Sequence, residues 1–136
     1  MAEMTIRADL DHLDEVTAFV DARLEELDCP MKAQMQIDVA VEEIFVNIAS
    51  YAYAPEKGDA EISVDYAPDT HMLTIVFRDR GAPFDPTARP DPDVTLSAEQ
   101  RKIGGLGIFM VRKSMDGMHY RRENGVNILT LKKKLA

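Results

Sequence analysis

The chain has 136 residues, enough for one hydrophobic core, and its 46% hydrophobic and 29% charged composition is globular rather than disordered or fibrous. A net charge of −8 argues against sequence-independent nucleic-acid binding, which requires neutralisation of phosphates. The single cysteine, Cys29, leaves no intrachain disulfide and suits a reducing compartment. The opening Met1-Ala2-Glu3-Met4-Thr5 has neither a basic nor an apolar run, which predicts no signal peptide. The most apolar stretch, Ile37 to Ala54, is interrupted by Asp38, Glu42 and Glu43, which predicts no membrane span.

In chain order, Thr5 to Ala8 suits a short first strand. Leu10, Leu13, Val16, Val20, Leu24 and Leu27 then recur at steps of three and four, the stripe of an amphipathic helix, and Pro30 is expected to end it. A second helix is predicted from about Met31 to Tyr53 on the stripe Ile37, Val41, Ile44, Ile48 and Ala52. Pro55, Gly58 and Asp59 break it. Ile62, Val64 and Tyr66 alternate with polar residues, and a Pro68-Asp69 turn leads to Leu73, Ile75 and Phe77 at the same period of two. Residues 86–103 carry Pro86, Pro90 and Pro92 and little periodicity, a long loop of the kind that is functional or disordered. A short helix is predicted from about Ile108 to Asp116, with Gly117 as a left-handed C-cap. Met118–Glu123 and Val126–Lys132 flank Asn124-Gly125, the signature of a type I′ hairpin. The order β-α-α-β-β-loop-α-β-β predicts one α+β domain over residues 1–136, a two-layer sandwich with helices on one face of a mixed, mostly antiparallel sheet.

Three short segments carry chemistry. Glu43 and Asn47 are one helical turn apart, at the rim of the buried stripe. A carboxylate there suits a general base and an amide oxygen beside it suits Mg²⁺, although the same spacing serves a solvated pair on an amphipathic helix. Asp79 falls on the core-facing parity of Leu73, Ile75 and Phe77, where an unpartnered carboxylate is costly, so a ligand or internal donor is expected. It can accept from an exocyclic amine such as that of adenine, and Gly81 after it permits close backbone approach or a positive φ; a plain tight turn reads equally well. Gly104-Gly105-Leu106-Gly107 runs into a helix, where free N–H groups form an anion site or a simple connector. Arg101 and Lys102 upstream are within reach of a terminal phosphate or are solvated. Neither a Gly-x-x-x-x-Gly-Lys-Ser/Thr loop nor a Gly-x-Gly-x-x-Gly fingerprint occurs.

In this order the three segments resemble the nucleotide site of the GHKL (Bergerat-fold) ATP-binding domains, and over nearly the whole chain the bacterial anti-sigma-factor serine/threonine kinases. Val41 to Tyr53 looks like the N box, Asp79-Arg80-Gly81-Ala82-Pro83-Phe84-Asp85-Pro86 like the G1 box, and Gly105-Leu106-Gly107-Ile108 like the G2 box. The resemblance implies Glu43 as base, Asn47 as Mg²⁺ ligand, Asp79 as adenine anchor and Gly81 as the close-contact glycine. It further implies an ATP lid between the G1 and G2 boxes, at about 86–103, and Thr130 near adenine. Tyr51 stands where many members have histidine, and Ala82-Pro83 replaces a second glycine. The implied protein is a bacterial, cytoplasmic, homodimeric switch that uses ATP and Mg²⁺, sequesters a sigma factor and phosphorylates a serine on a STAS-domain antagonist, without touching nucleic acid or membrane. Two alternatives stand beside it: a nucleotide-gated sequestering module without kinase activity, and a stand-alone histidine-kinase-type catalytic domain. His12, His71 and His119 are isolated in sequence and suggest neither a metal site nor a triad.

Overall fold

A computed structural model describes residues 2–53, 56, 58–83, 85 and 105–135, with the side chains of 105 and 106 left aside. Strand β1 (Ala2–Arg7) is followed by a 3₁₀ turn (Leu10–His12), α1 (Leu13–Glu26) and α2 (Met31–Asn47). Then come a π-helical turn (Ile48–Ala52), β2 (Asp59–Ala67), β3 (Met72–Asp79), α3 (Gly105–Ser114), β4 (Gly117–Glu123) and β5 (Val126–Lys134). The strands lie in the order β1-β2-β3-β5-β4. This is the α+β sandwich that the sequence predicts, antiparallel at every pairing rather than mixed. β3 and β4 do run in the same direction, as the two ends of a crossover through α3, but β5 lies between them and pairs with both.

Alternation along the strands supplies one apolar face: Ile62 and Val64 from β2, Leu73, Ile75 and Phe77 from β3, Leu129 and Leu131 from β5. Against it pack Val16, Val20 and Leu24 of α1, Ile37, Val41 and Ile44 of α2, Ile108 and Val111 of α3, and Met115 just after it, all buried in one cluster. The helical stripes read from the sequence are therefore the core faces, except that Leu10 lies in the 3₁₀ turn and is exposed. β1 starts earlier than its apolar content suggests, because Ala2, Met4 and Ile6 face inward opposite Val64, Ile62 and Ala60 while Glu3, Thr5 and Arg7 face solvent.

Two ends differ from expectation for local reasons. α1 stops before Pro30, through a Schellman cap: Asp28 takes a φ of 51°, its N–H donates to the Glu25 carbonyl at 3.2 Å, and the Cys29 N–H donates to the Leu24 carbonyl at 3.0 Å. Gly117 is not a left-handed cap; it is the first residue of β4, paired with Lys132, and the Asp116 N–H donates to the Lys132 carbonyl at 2.8 Å. The hairpin does have positive φ at both Asn124 (50°) and Gly125 (79°), as a type I′ turn requires.

On the seam between α1 and α2, Asp38 faces Asp21, whose carboxylate also accepts from the Gln34 amide at 3.4 Å. Burial pushes the Asp38 carboxyl up to about 7, helped by a hydrogen bond to Asp21 and by its charge. The folded protein thus holds a proton that the unfolded chain releases near the ordinary aspartate range, so stability falls as pH rises from about 4 to about 7 and is flat above. Asp38→Asn keeps the hydrogen bond without the charge. It should gain stability over the wild type at pH 8 and not at pH 4, by about 1 kcal/mol or less because solvent screens a half-exposed group. Urea unfolding at the two pH values measures this, and an equal effect at both would remove the shared proton.

Candidate functional site

One cavity among the described residues lies between the end of α2, the π turn and the core face of β3 and β5. It is lined by Ile44, Asn47, Ile48, Tyr51, Ala52, Phe77, Asp79, Ala82, Tyr120, Asn127 and Leu129. Its walls are mostly apolar, with the polar groups Asn47, Asp79 and Asn127 set among them, the composition expected of a small-molecule pocket. The π turn at Ile48–Ala52 widens α2 at the residue after Asn47 and turns Tyr51 out to the mouth, where it is exposed.

Asp79, the last residue of β3, is 7% exposed, and its Oδ1 accepts from the Gly81 N–H and from Asn127 Nδ2, each at 2.9 Å. Its Oδ2 has no hydrogen-bond partner among the described residues. The buried Asn47 Nδ2 likewise has none. Unmatched polar atoms at the wall of an otherwise apolar pocket are what a polar ligand would satisfy.

Gly81 earns its identity from the protein itself. Its φ is not positive, and a Cβ there would overlap the backbone carbonyl of Ala52, to which the Ala82 N–H donates at 2.7 Å. Gly81→Ala should therefore cost about 1–3 kcal/mol of overpacking. Denaturant unfolding checks this, and an unchanged midpoint would mean that the turn gives way freely. Tyr53 braces the same turn from below: its hydroxyl donates to the Asp59 carbonyl at 2.6 Å and accepts from the Arg80 N–H at 2.7 Å.

Glu43 stands one helical turn before Asn47, and its carboxylate lies against Gly107, in the first turns of α3, where any Cβ would occupy the same space. Burial first, then the charge of Glu42, pushes the Glu43 carboxyl up from the ordinary carboxylate range, which makes it a better base. Glu43 and Gly107, distant in sequence, thus meet, while Asn47 and Asp79 share the cavity next to them. Gly105 and Leu106 open α3. Gly104, Arg101, Lys102 and the lid at 86–103 lie outside the described residues.

Thr130 is a correction. It pairs with Val76, and alternation along β5 puts it on the sheet face opposite Asn127, Leu129 and Leu131, away from the cavity. The β5 residue opposite Asp79 is Asn127. It is 5% exposed; its Nδ2 donates also to the Ala82 carbonyl at 2.9 Å, and its Oδ1 accepts from Tyr120 Oη at 2.5 Å and Arg122 Nη1 at 2.8 Å. The signal for it was in the sequence: a polar residue on the parity of Leu129 and Leu131, the criterion that singles out Asp79.

Residues 6–133 match the family model described as the histidine kinase-like ATPase domain. The chain is 32% identical over 100 residues to a serine-protein kinase RsbW of Listeria monocytogenes, a match covering 71% of this chain and 63% of that one. It is 28% identical over 100 residues to the serine/threonine-protein kinase BtrW of Bordetella bronchiseptica, covering 74% and 70%. The chain thus spans under two thirds of the Listeria relative's length. Among solved structures it is similar to the RsbU and RsbW domains of a Mycobacterium tuberculosis protein, with a TM-score of 0.69 at 19% identity over 99% of this chain and 33% of that chain. It is also similar to the SiaB–SiaC complex of Pseudomonas aeruginosa, at 0.56 and 14% over 96% of this chain and 88% of that one. Both show the same fold.

Proposed function

The chain belongs to the histidine kinase-like ATPase domain family, and from that premise we propose that it is an ATP- and Mg²⁺-dependent serine kinase that acts as a partner-switching anti-sigma regulator. The observation that carries this reading is the meeting of Glu43 with Gly107 beside the cavity that Asn47 and Asp79 line. A domain that only bound nucleotide would have no use for a half-buried carboxylate with a raised pKa at that place.

Adenine would lie against the apolar walls and donate its amine to Asp79 Oδ2, with the first turn of α3 offering N–H groups to phosphate. Asn47, at the cavity wall, would hold Mg²⁺ through its amide oxygen, and that ion would neutralise phosphate charge. Glu43 takes the proton of the acceptor serine hydroxyl as that oxygen attacks the γ-phosphorus and ADP leaves. In this reading the acceptor is a STAS-domain antagonist and the sequestered partner a sigma factor, the pairing that the resemblance to the anti-sigma-factor kinases implies; relatives named serine-protein kinase support the kinase part of it. We place the protein in the bacterial cytoplasm as a homodimer. Among the described residues no helix is long and apolar enough to cross a membrane.

The test is radiolabelled ATP mixed with the purified protein and the STAS-domain proteins of the same genome. Label on a serine of one of them supports the kinase. Nucleotide binding without any transfer leaves the sequestering module, and label on histidine would move the chain to the histidine-kinase class.

A further inference from the structure

Arg122 lies on β4 with its side chain exposed and does not line the cavity, yet its Nη1 makes two hydrogen bonds into the site, to Asn127 Oδ1 at 2.8 Å and to the Gly81 carbonyl at 3.0 Å. A guanidinium can only donate. The atom of Asn127 that faces it must therefore be the oxygen, and this settles which way the amide lies. With the oxygen held by Arg122 and Tyr120, Nδ2 points at acceptors, the Ala82 carbonyl and Asp79 Oδ1. Asp79 Oδ1 then has two donors, the Gly81 N–H being the other, and Oδ2 is the acceptor left for the cavity.

Resting on the nucleotide reading above, we infer that Arg122 is a positioning residue for base specificity: through the amide of Asn127 it fixes which acceptor Asp79 presents, and so selects an exocyclic amine over a carbonyl. The relay is Arg122 to Asn127 to Asp79 to ligand. The Ala82 carbonyl and Asp79 Oδ1 only accept and favour the same orientation from the other side, while the Tyr120 hydroxyl would tolerate either face of the amide. Arg122 is the charged donor that anchors the oxygen end, and it also holds the carbonyl of Gly81, whose N–H is the second donor to Asp79 Oδ1. Without Arg122, Asn127 Oδ1 and the Gly81 carbonyl lose their charged donor, so the two groups that donate to Asp79 Oδ1 are held less closely and the carboxylate can swing from the plane that offers Oδ2 to the ligand. Affinity for an amine would fall. A carbonyl, already repelled by Oδ2, would lose nothing.

The experiment compares ADP with inosine diphosphate, in which a carbonyl replaces the amine, by calorimetry on the full chain and its Arg122→Ala and Arg122→Lys variants. Wild type should prefer ADP. Arg122→Ala should lower the ADP-to-inosine-diphosphate affinity ratio about tenfold, the effect of one hydrogen bond to a charged acceptor. Arg122→Lys, which also can only donate, should recover the ratio. A merely structural role would weaken both nucleotides together and leave the ratio unchanged, which overturns the inference. Equal wild-type affinity for the two nucleotides, or binding of neither, overturns the adenine reading of Asp79 itself, a distinct result because it appears before any substitution at Arg122.

Discussion

Replacing Glu43 with glutamine is expected to lower phosphotransfer to a STAS-domain serine by about 10²–10⁴-fold, the range that a positioned general base contributes. Glutamine has nearly the shape of glutamate, so its contact with Gly107 is kept and only the basic oxygen is lost. ADP affinity should change little, because a base acts in the transition state and adds little to ground-state binding. Asn47→Ala should behave differently and weaken both ATP affinity and turnover, since in the proposed role its oxygen would hold Mg²⁺, which serves both. The measurement is single-turnover transfer of label with calorimetry alongside. A Glu43→Gln variant as fast as wild type would take the base assignment away from Glu43, while leaving the nucleotide site as it stands.

Asp79→Ala should weaken ADP roughly 10- to 150-fold, the loss of a hydrogen bond to a charged acceptor worth about 1.5–3 kcal/mol. The substitution also strips an acceptor from the Gly81 N–H and from Asn127 Nδ2, although the latter keeps the Ala82 carbonyl. A stability loss of about 1–2 kcal/mol is therefore expected beside the binding loss. Calorimetry belongs well below the melting temperature of the variant, with a thermal scan recorded in parallel. Equal ADP affinity in a folded Asp79→Ala protein would exclude this carboxylate from the site. GTP should bind poorly to the wild type, because guanine puts a carbonyl where adenine puts its amine.

The parity and periodicity of single segments made much of this protein legible before folding. Val16, Val20 and Leu24 recur as helices recur, and Leu73, Ile75 and Phe77 alternate as strands do. Each buries the face its pattern marks, since a continuous apolar face has one stable place, against another such face. Asn124-Gly125 was equally plain, because the φ values a type I′ turn needs are cheap for those two residues. Asp79 stood out as a carboxylate on an inward parity, which a fold tolerates only with donors or a ligand.

What lay beyond the sequence were contacts between residues far apart along the chain. That Gly81 is a glycine because of Ala52, and Gly107 lies under Glu43, follows from how the π turn meets the residues after β3 and α2 packs on α3, which no local pattern encodes. Thr130 and Asn127 are separated by the strand's parity, but that Asn127 falls opposite Asp79 is a matter of β3–β5 register. The sheet order decided the rest. By inserting β5 between β3 and β4, it brings Arg122 and Tyr120 of the edge strand within hydrogen-bond reach of Asn127, and so turns a buried carboxylate into an acceptor of defined direction.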